Sequence, residues 1–596
     1  MSSVPERSEI EEEYRWDLSS LYADDEDWEE AYGRAEELVQ ELSDYEGRAT
    51  EDAGTLKEAM EKYEETMRTV SNVAAYARMR RDEDTTDDRY QGLTARAMSL
   101  VSEAKSAASF LEPEIQELDE DAVDDMIAEE PELETYEHYF DDVLRMKEHT
   151  RSSEVEELLA ELSEVTGAPG ELYDTLTNAD IEFPAVEDPE GETRQITLNS
   201  FTKLQKHPDR DFRRQVYEEF YDEWETVRNV VGAAYRNSVK ADVKLARARN
   251  YETAREAALD GPNVPVEVYD TLVETVRDRL GVLHRHAELK REAIDADELR
   301  MWDLYVPVVQ EESPEIGYEG ACDHIVEAVA PLGDGYRTRL SEGLDSRWVD
   351  VYETENKQSG AYSGGTYDSQ PLVLMNYQDD VKSMYTLAHE LGHSMHSEYT
   401  KEEQPYIYSG YEIFVAEVAS TVNETLLTHH LLETVEDERL RRHVLNEYLE
   451  RFRSTLFRQT MFAEFEHRTH EMSEEGEPLT PDRLDDLYRN LKTDYYEPAV
   501  VDDRIAREWM RIPHFYRAFY VYQYATGISA AVALADCIIE EGEDAAERYI
   551  DFLGSGSRKY PLELLEDAGV DMTSREPVET AISTYEGYLD EFERLV

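Results

Sequence analysis

Helical periodicity constrains this chain more than any other feature of it. Over residues 51–81 and 267–291 breakers are few, and apolar residues recur at three- and four-residue steps. That spacing lines one face of an α-helix. The intervening positions are mainly Glu, Asp and Arg, as on solvated helix faces. Most of the 596 residues read this way, with no fixed-period repeat of the solenoid kind. Two regions differ. Residues 181–200, IEFPAVEDPEGETRQITLNS, hold Pro and Gly between short β-prone pieces, and a lobe boundary is expected near residue 200. Residues 358–377, QSGAYSGGTYDSQPLVLMNY, join a Gly/Ser-rich turn to the apolar run 372–375, which predicts a loop and strand before a helix. The expected organisation is an all-helical N-terminal lobe over 1–200, then a second lobe over 201–596, helical with a little sheet.

The charge balance excludes several functions. Asp and Glu number 138 against 60 Lys and Arg, a formal net charge of -78. A nucleic-acid binder needs a basic footprint against phosphate. The local basic clusters here, such as residues 203–214, are small and mixed with acids. Adhesion to anionic lipid is excluded on the same ground. A disordered acidic chain would be poor in aromatics, whereas this one carries 39 Tyr, 15 Phe and 6 Trp. Two cysteines, Cys322 and Cys537, make neither a disulfide framework nor a Cys-rich metal site. The opening residues MSSVPERSEIEEEYRWDL are polar and acidic, unlike a secretory signal. The longest apolar stretch, residues 527–539, is short and broken by Asp536, so no membrane span is expected. The expectation is a folded, cytoplasmic protein, monomeric or a small homo-oligomer, adapted to high salt.

Chemistry concentrates in His389-Glu390-Leu391-Gly392-His393, inside the helical run 381–399. Four residues apart on a helix, both imidazoles leave one face about one turn apart and can grip one metal ion. Glu390, next to the first ligand, can take a proton from a water at the metal. Imidazole with carboxylate ligation favours zinc, although the same ligands accept Co or Mn. A catalytic zinc site needs a third protein ligand and an open position. The pattern with a third His six residues after the second fails: that residue is Tyr399, and the Gly expected between them is His396. The alternative is an acid on the next helix, where Glu412, Glu417 and Glu424 compete. Glu417 follows the apolar run 413–416, where a carboxylate without a partner is expensive, and is assigned as the ligand. Glu424, seven residues on and on the same face, is read as a carboxylate that orients a ligating His.

These residues carry a family resemblance. LAHELGHSMHSEYT at 387–400 and FVAEVASTVNE at 414–424 resemble the thimet oligopeptidase superfamily, and within it oligoendopeptidase F. SGAYSGGTY at 359–367, IPHFYRAFYVYQYATG at 512–527 and YPLELLEDAGVDM at 560–572 resemble the same subfamily. The likeness is strong over about 200–590 and looser before it. It implies a mainly α, two-lobed helical shell around a deep substrate channel, with a small β-sheet near the active site. It implies one Zn2+ held by His389, His393 and Glu417, with Glu390 as general base. His514, Tyr520 and Tyr524 match the region where the family places a histidine and tyrosines facing the bound peptide. In the family the strand and loop holding Gly360, Tyr362, Gly364 and Gly365 pair with an extended peptide backbone, an approach that glycine permits. The implied activity is zinc-dependent cleavage of internal bonds in short peptides. A metallo-carboxypeptidase or other exopeptidase with the same zinc site is the alternative; it would need a charged anchor for the peptide terminus, and none is identifiable in the sequence.

Screening relieves repulsion among carboxylates. Activity and melting temperature are therefore predicted to rise with added KCl up to about 1 M, where the Debye length falls to about 3 Å. Equal stability in dilute buffer would contradict salt adaptation.

Overall fold

Helix starts follow the acidic residues able to satisfy free backbone N–H groups. In the computed structural model, which describes residues 4–596, Asp52 accepts from the Thr55 N–H at 2.9 Å and opens helix Ala53–Glu83. Asp209 does the same for Arg210–Ala248 through the Phe212 N–H at 2.8 Å. Asp380 does so for Val381–Glu403 through the Ser383 N–H at 2.7 Å. A carboxylate at this position both accepts the hydrogen bond and meets the positive end of the helix dipole. The chain is 71% helical with only small sheets, the mainly α class that the periodicity predicts. The run 267–291 differs in detail. It forms two helices, Val266–Asp278 and Leu280–Ala293, separated at Arg279. The Arg279 guanidinium donates to Glu586 at 2.9 Å, a contact made across the sequence that local pattern does not encode. Residues 1–3, the start of the segment read as unlike a secretory signal, lie outside the described residues. Among the described residues no helix is long and apolar enough to cross a membrane.

The chain builds two compact units, each from three stretches. One comprises Met1–Glu148, Glu315–Thr434 and Leu534–Gly569; the other comprises His149–Pro314, Val435–Ala533 and Val570–Val596. The boundary expected near residue 200 thus falls inside the second unit. The β-prone pieces there form a two-stranded antiparallel hairpin, Ala185–Glu187 with Thr193–Gln195. The flanks of the hairpin pack together within that unit. Phe183 before it and Phe201 after it both stack on Phe220, with ring centroids 4.7 and 3.9 Å away. Helix Ser163–Thr175 also packs on helix Arg210–Ala248, so both sides of the hairpin share one aromatic core.

In the first unit, Leu372–Tyr377 is the central strand of three. It runs parallel to Val349–Tyr352 and antiparallel to the edge strand Tyr362–Gly364. Its apolar run is buried: Leu372 and Leu374 pack with Trp16, Trp28 and Tyr76. The strand leads into helix Val381–Glu403, which crosses helix Ile413–Thr434. Most of the second helix is buried around its circumference, including the polar residues Ser420, Thr421, Asn423, Glu424, Thr425 and Thr428. The helices meet closely at Gly392. A Cβ there would stand 2.6 Å from Ser420 Cα and 2.7 Å from the Ala419 carbonyl oxygen.

Those neighbours are backbone atoms and cannot rotate away. Gly392→Ala should therefore force the two helices apart and destabilise the protein by about 1–3 kcal/mol or more. Thermal unfolding checks this; a variant melting with the parent would contradict so close a crossing.

Candidate metal centre

The two crossing helices bring His389, His393 and Glu417 together. His389 Nε2 lies 3.4 Å from Glu417 Oε2, and His393 Nε2 lies 3.9 Å from the same oxygen. One ligand atom from each of the three lies within 4.8 Å of the others. Donor atoms bound to a tetrahedral zinc at 2.0–2.2 Å are roughly 3.3–3.6 Å apart. The three side chains could share one small divalent ion once their donors draw together by up to about 1 Å, and their nitrogen and carboxylate donors suit it chemically.

Each imidazole is held from behind. Glu424, 1% exposed, meets His389 Nδ1 at 2.6 Å, which leaves Nε2 directed to the ligand cluster. Burial works against charge on His389, but the Glu424 hydrogen bond and the charges of Glu424, Glu417 and Glu390 outweigh it and raise its pKa. Burial, and next the charge of His389, bring His393 down to about 3. Its ring is thus neutral at pH 7, the form that ligates a metal. His393 also hydrogen-bonds the backbone of Ala416. Glu390 is buried, and burial raises its carboxyl above the usual range, with the His389 charge and a hydrogen bond from the Ser363 N–H pulling the other way. Ser363 belongs to the edge strand, and its hydroxyl also meets that of Ser394 at 2.9 Å. Sequence reasoning missed Ser363 because it acts through its main chain.

The other positions separate clearly. Glu412 is exposed just before helix Ile413–Thr434 and is not among the converging acids. Tyr399 stacks on Tyr336 with ring centroids 6.0 Å apart, and His396 stacks on Tyr411 at 3.8 Å; both are packing residues. In the Gly-rich segment, Gly360 and Gly365 have φ of 92° and 121°, the left-handed region open to glycine. A Cβ on Gly365 would also meet the Gln370 carbonyl oxygen at 2.8 Å. Tyr362 and Gly364 lie on the edge strand, where the Tyr362 hydroxyl donates to Asp82 at 2.8 Å. In the second unit, His514, Tyr520 and Tyr524 form a ring cluster of their own. The centroids are 6.2 Å apart for His514 with each tyrosine and 5.5 Å for the tyrosine pair. Burial, then the charges of Arg517 and Arg458, lower the His514 pKa.

A family model described as peptidase family M3 matches residues 203–584. The chain belongs to peptidase family M3. It is accordingly a peptidase, and members of this family are metallopeptidases. A second model, described as oligopeptidase F, matches residues 114–183 of this M3 peptidase. Oligopeptidase PepF of Bacillus subtilis is 44% identical over 596 residues, covering 100% of this chain and 89% of that protein. Group B oligopeptidase PepB of Streptococcus agalactiae is 40% identical over 99% of this chain and 98% of its own. The crystal structure of oligoendopeptidase-F from Enterococcus faecium matches with a TM-score of 0.75 at 36% identity, covering 96% of this chain and 99% of that one.

Removing the charge behind His389 should loosen the ion without removing a ligand. Glu424→Gln is predicted to weaken metal affinity about 10–100-fold, measured by competition with a chelator. Unchanged affinity would detach Glu424 from the centre.

Proposed function

We propose that this M3 peptidase is a zinc-dependent endopeptidase of short oligopeptides, acting in peptide turnover. The reading is supported above all by the convergence of His389, His393 and Glu417 in a chain that aligns over its whole length with an oligopeptidase. His389, His393 and Glu417 would hold the ion. When bound, zinc supplies Lewis acidity that makes water nucleophilic at neutral pH and polarises the scissile carbonyl.

The chain's own residues do the rest. Glu390 takes one proton from the attacking water as the new C–O bond forms, and passes it to the amine nitrogen as the C–N bond breaks. A carboxyl raised by burial suits that double role, because its proton affinity lies nearer the working pH. Glu424 holds the His389 ring in position. The donors of His514, Tyr520 and Tyr524 bear on the oxygen that becomes negative in the tetrahedral state. The edge strand Tyr362–Gly364 offers its free side to an extended peptide backbone, with Gly360, Gly364 and Gly365 allowing close approach. In domain terms, residues 1–200 would form the N-terminal part and 201–596 the catalytic part, a division that the two family-model matches favour.

Glu390→Gln should keep its zinc, measured by elemental analysis, yet lose about 10²–10⁴-fold in kcat. Cleavage is followed by mass spectrometry on peptides blocked at both ends, where an endopeptidase keeps its activity. Substantial turnover by the variant would remove Glu390 as the base, and loss of cleavage on blocking would point to an exopeptidase.

A further inference from the structure

Seven described non-glycine residues have a clearly positive φ, and five of them are Asn or Asp, the types that tolerate this region. Phe519 is the only aromatic among them, at φ 54°, with its ring buried. A bulky residue keeps that conformation only where its surroundings hold it there. The hold is visible. The Phe519 N–H donates to Glu466 Oε1 at 2.8 Å. The Phe519 ring lies 4.6 Å from that of His470 and 5.9 Å from that of Tyr269.

Glu466 is an unusual partner. It is 0% exposed on helix Arg458–Glu474, and its Oε2 has no hydrogen-bond partner among the described residues. It makes no ion pair with Lys or Arg there. Glu508, equally buried, contrasts with it: Lys492, Arg458 and Arg511 reach Glu508 at 2.6, 2.9 and 3.1 Å. The titratable groups around Glu466 are His470 on its own helix, Asp242, which meets His470 Nε2 at 3.3 Å, and the phenols of Tyr235 and Tyr269. Burial pushes the Glu466 carboxyl up to about 8. A buried carboxyl group with one oxygen left without a hydrogen-bond partner is costly to stability, which calls for a reason beyond packing.

The chain just after Phe519 supplies a reason. The next residue is Tyr520, and helix Tyr522–Glu541 begins two positions later, with Tyr524 in its first turn. We propose that Glu466 is a positioning residue for the hydrolytic reaction: by accepting the Phe519 N–H it fixes the left-handed turn that sets Tyr520 and Tyr524 against His514. The proposal rests on the reading in which those tyrosines bear on the tetrahedral oxygen. Glu466 does not touch substrate in this scheme; it acts through the tyrosine hydroxyls.

The test is steady-state kinetics on one peptide with Glu466→Met, which fills the same space without an acceptor, and Glu466→Gln, which keeps the acceptor oxygen. The methionine variant should lose roughly 10–100-fold in kcat, the scale of a misplaced catalytic group, with KM within about twofold. The glutamine variant should recover kcat to within about threefold. In a Tyr520→Phe/Tyr524→Phe background Glu466→Met should cost nothing further, because the groups it positions are gone. A normal kcat in Glu466→Met, or its full effect persisting in that background, overturns the proposal. If Glu466→Met does not fold, Glu466→Ala is read in its place; if neither folds while Glu466→Gln does, Glu466 is a stability residue and the proposal falls. A Tyr520→Phe/Tyr524→Phe protein with the parent's kcat sinks the tyrosine reading itself, independently of Glu466.

Discussion

The close crossing of two helices at Gly392 governs the geometry of this protein's candidate metal centre. Two histidines one turn apart are a local property of helix Val381–Glu403, but two nitrogens do not make a closed site. The carboxylates come from helix Ile413–Thr434, and their reach is limited. Only because the helices meet backbone to backbone, with Ser420 against Gly392, can Glu417 approach His389 and His393 while Glu424 stands behind His389. Neutral contacts reinforce the same seam. Asn423 donates to the Ala388 carbonyl at 3.3 Å and accepts from Tyr336 at 3.0 Å, and the Tyr385 and Thr428 hydroxyls pair at 2.7 Å.

That seam explains what was legible in the sequence. The histidine spacing is readable because a helix repeats every 3.6 residues, and the acids are readable because the next helix is the nearest source of them. The strand at 372–377 was readable from an apolar run after a glycine turn. Other features depend on partners far away in sequence. Nothing near Arg279 announces a helix break, since the contact to Glu586 is 307 residues distant. The hairpin at 185–195 looks like a linker by composition, yet Phe183 and Phe201 tie both of its flanks to Phe220. Ser363 and Phe519 act through main-chain N–H groups, which every residue except proline has, so no residue type betrays them.

Buried charge shows how an acidic chain builds its interior. The excess of carboxylates belongs to the solvated faces; inside the second unit, selected acids are matched. Glu508 is ringed by three cationic groups and also accepts from the Tyr488 hydroxyl at 2.8 Å. Their charges hold its pKa well below the usual carboxylate range despite burial, the largest opposing influence. Glu450 is held by Lys290 at 2.5 Å and Arg453 at 2.9 Å. Breaking such a network by removing one member would leave a buried charge uncompensated.

The first unit is stitched from chain segments that end only at Gly569. The C-terminal end of helix Val381–Glu403 depends on the last of them: the Thr400 hydroxyl donates to the Leu553 carbonyl at 2.8 Å, and the Gln404 amide to that of Gly554 at 2.7 Å. A nascent chain therefore has His389, His393 and Glu417 synthesised roughly 140 residues before the acceptors of Thr400 and Gln404 exist, at synthesis rates of roughly 5–20 residues per second. Translation leaves those two side chains waiting for their acceptors for roughly 8–30 seconds.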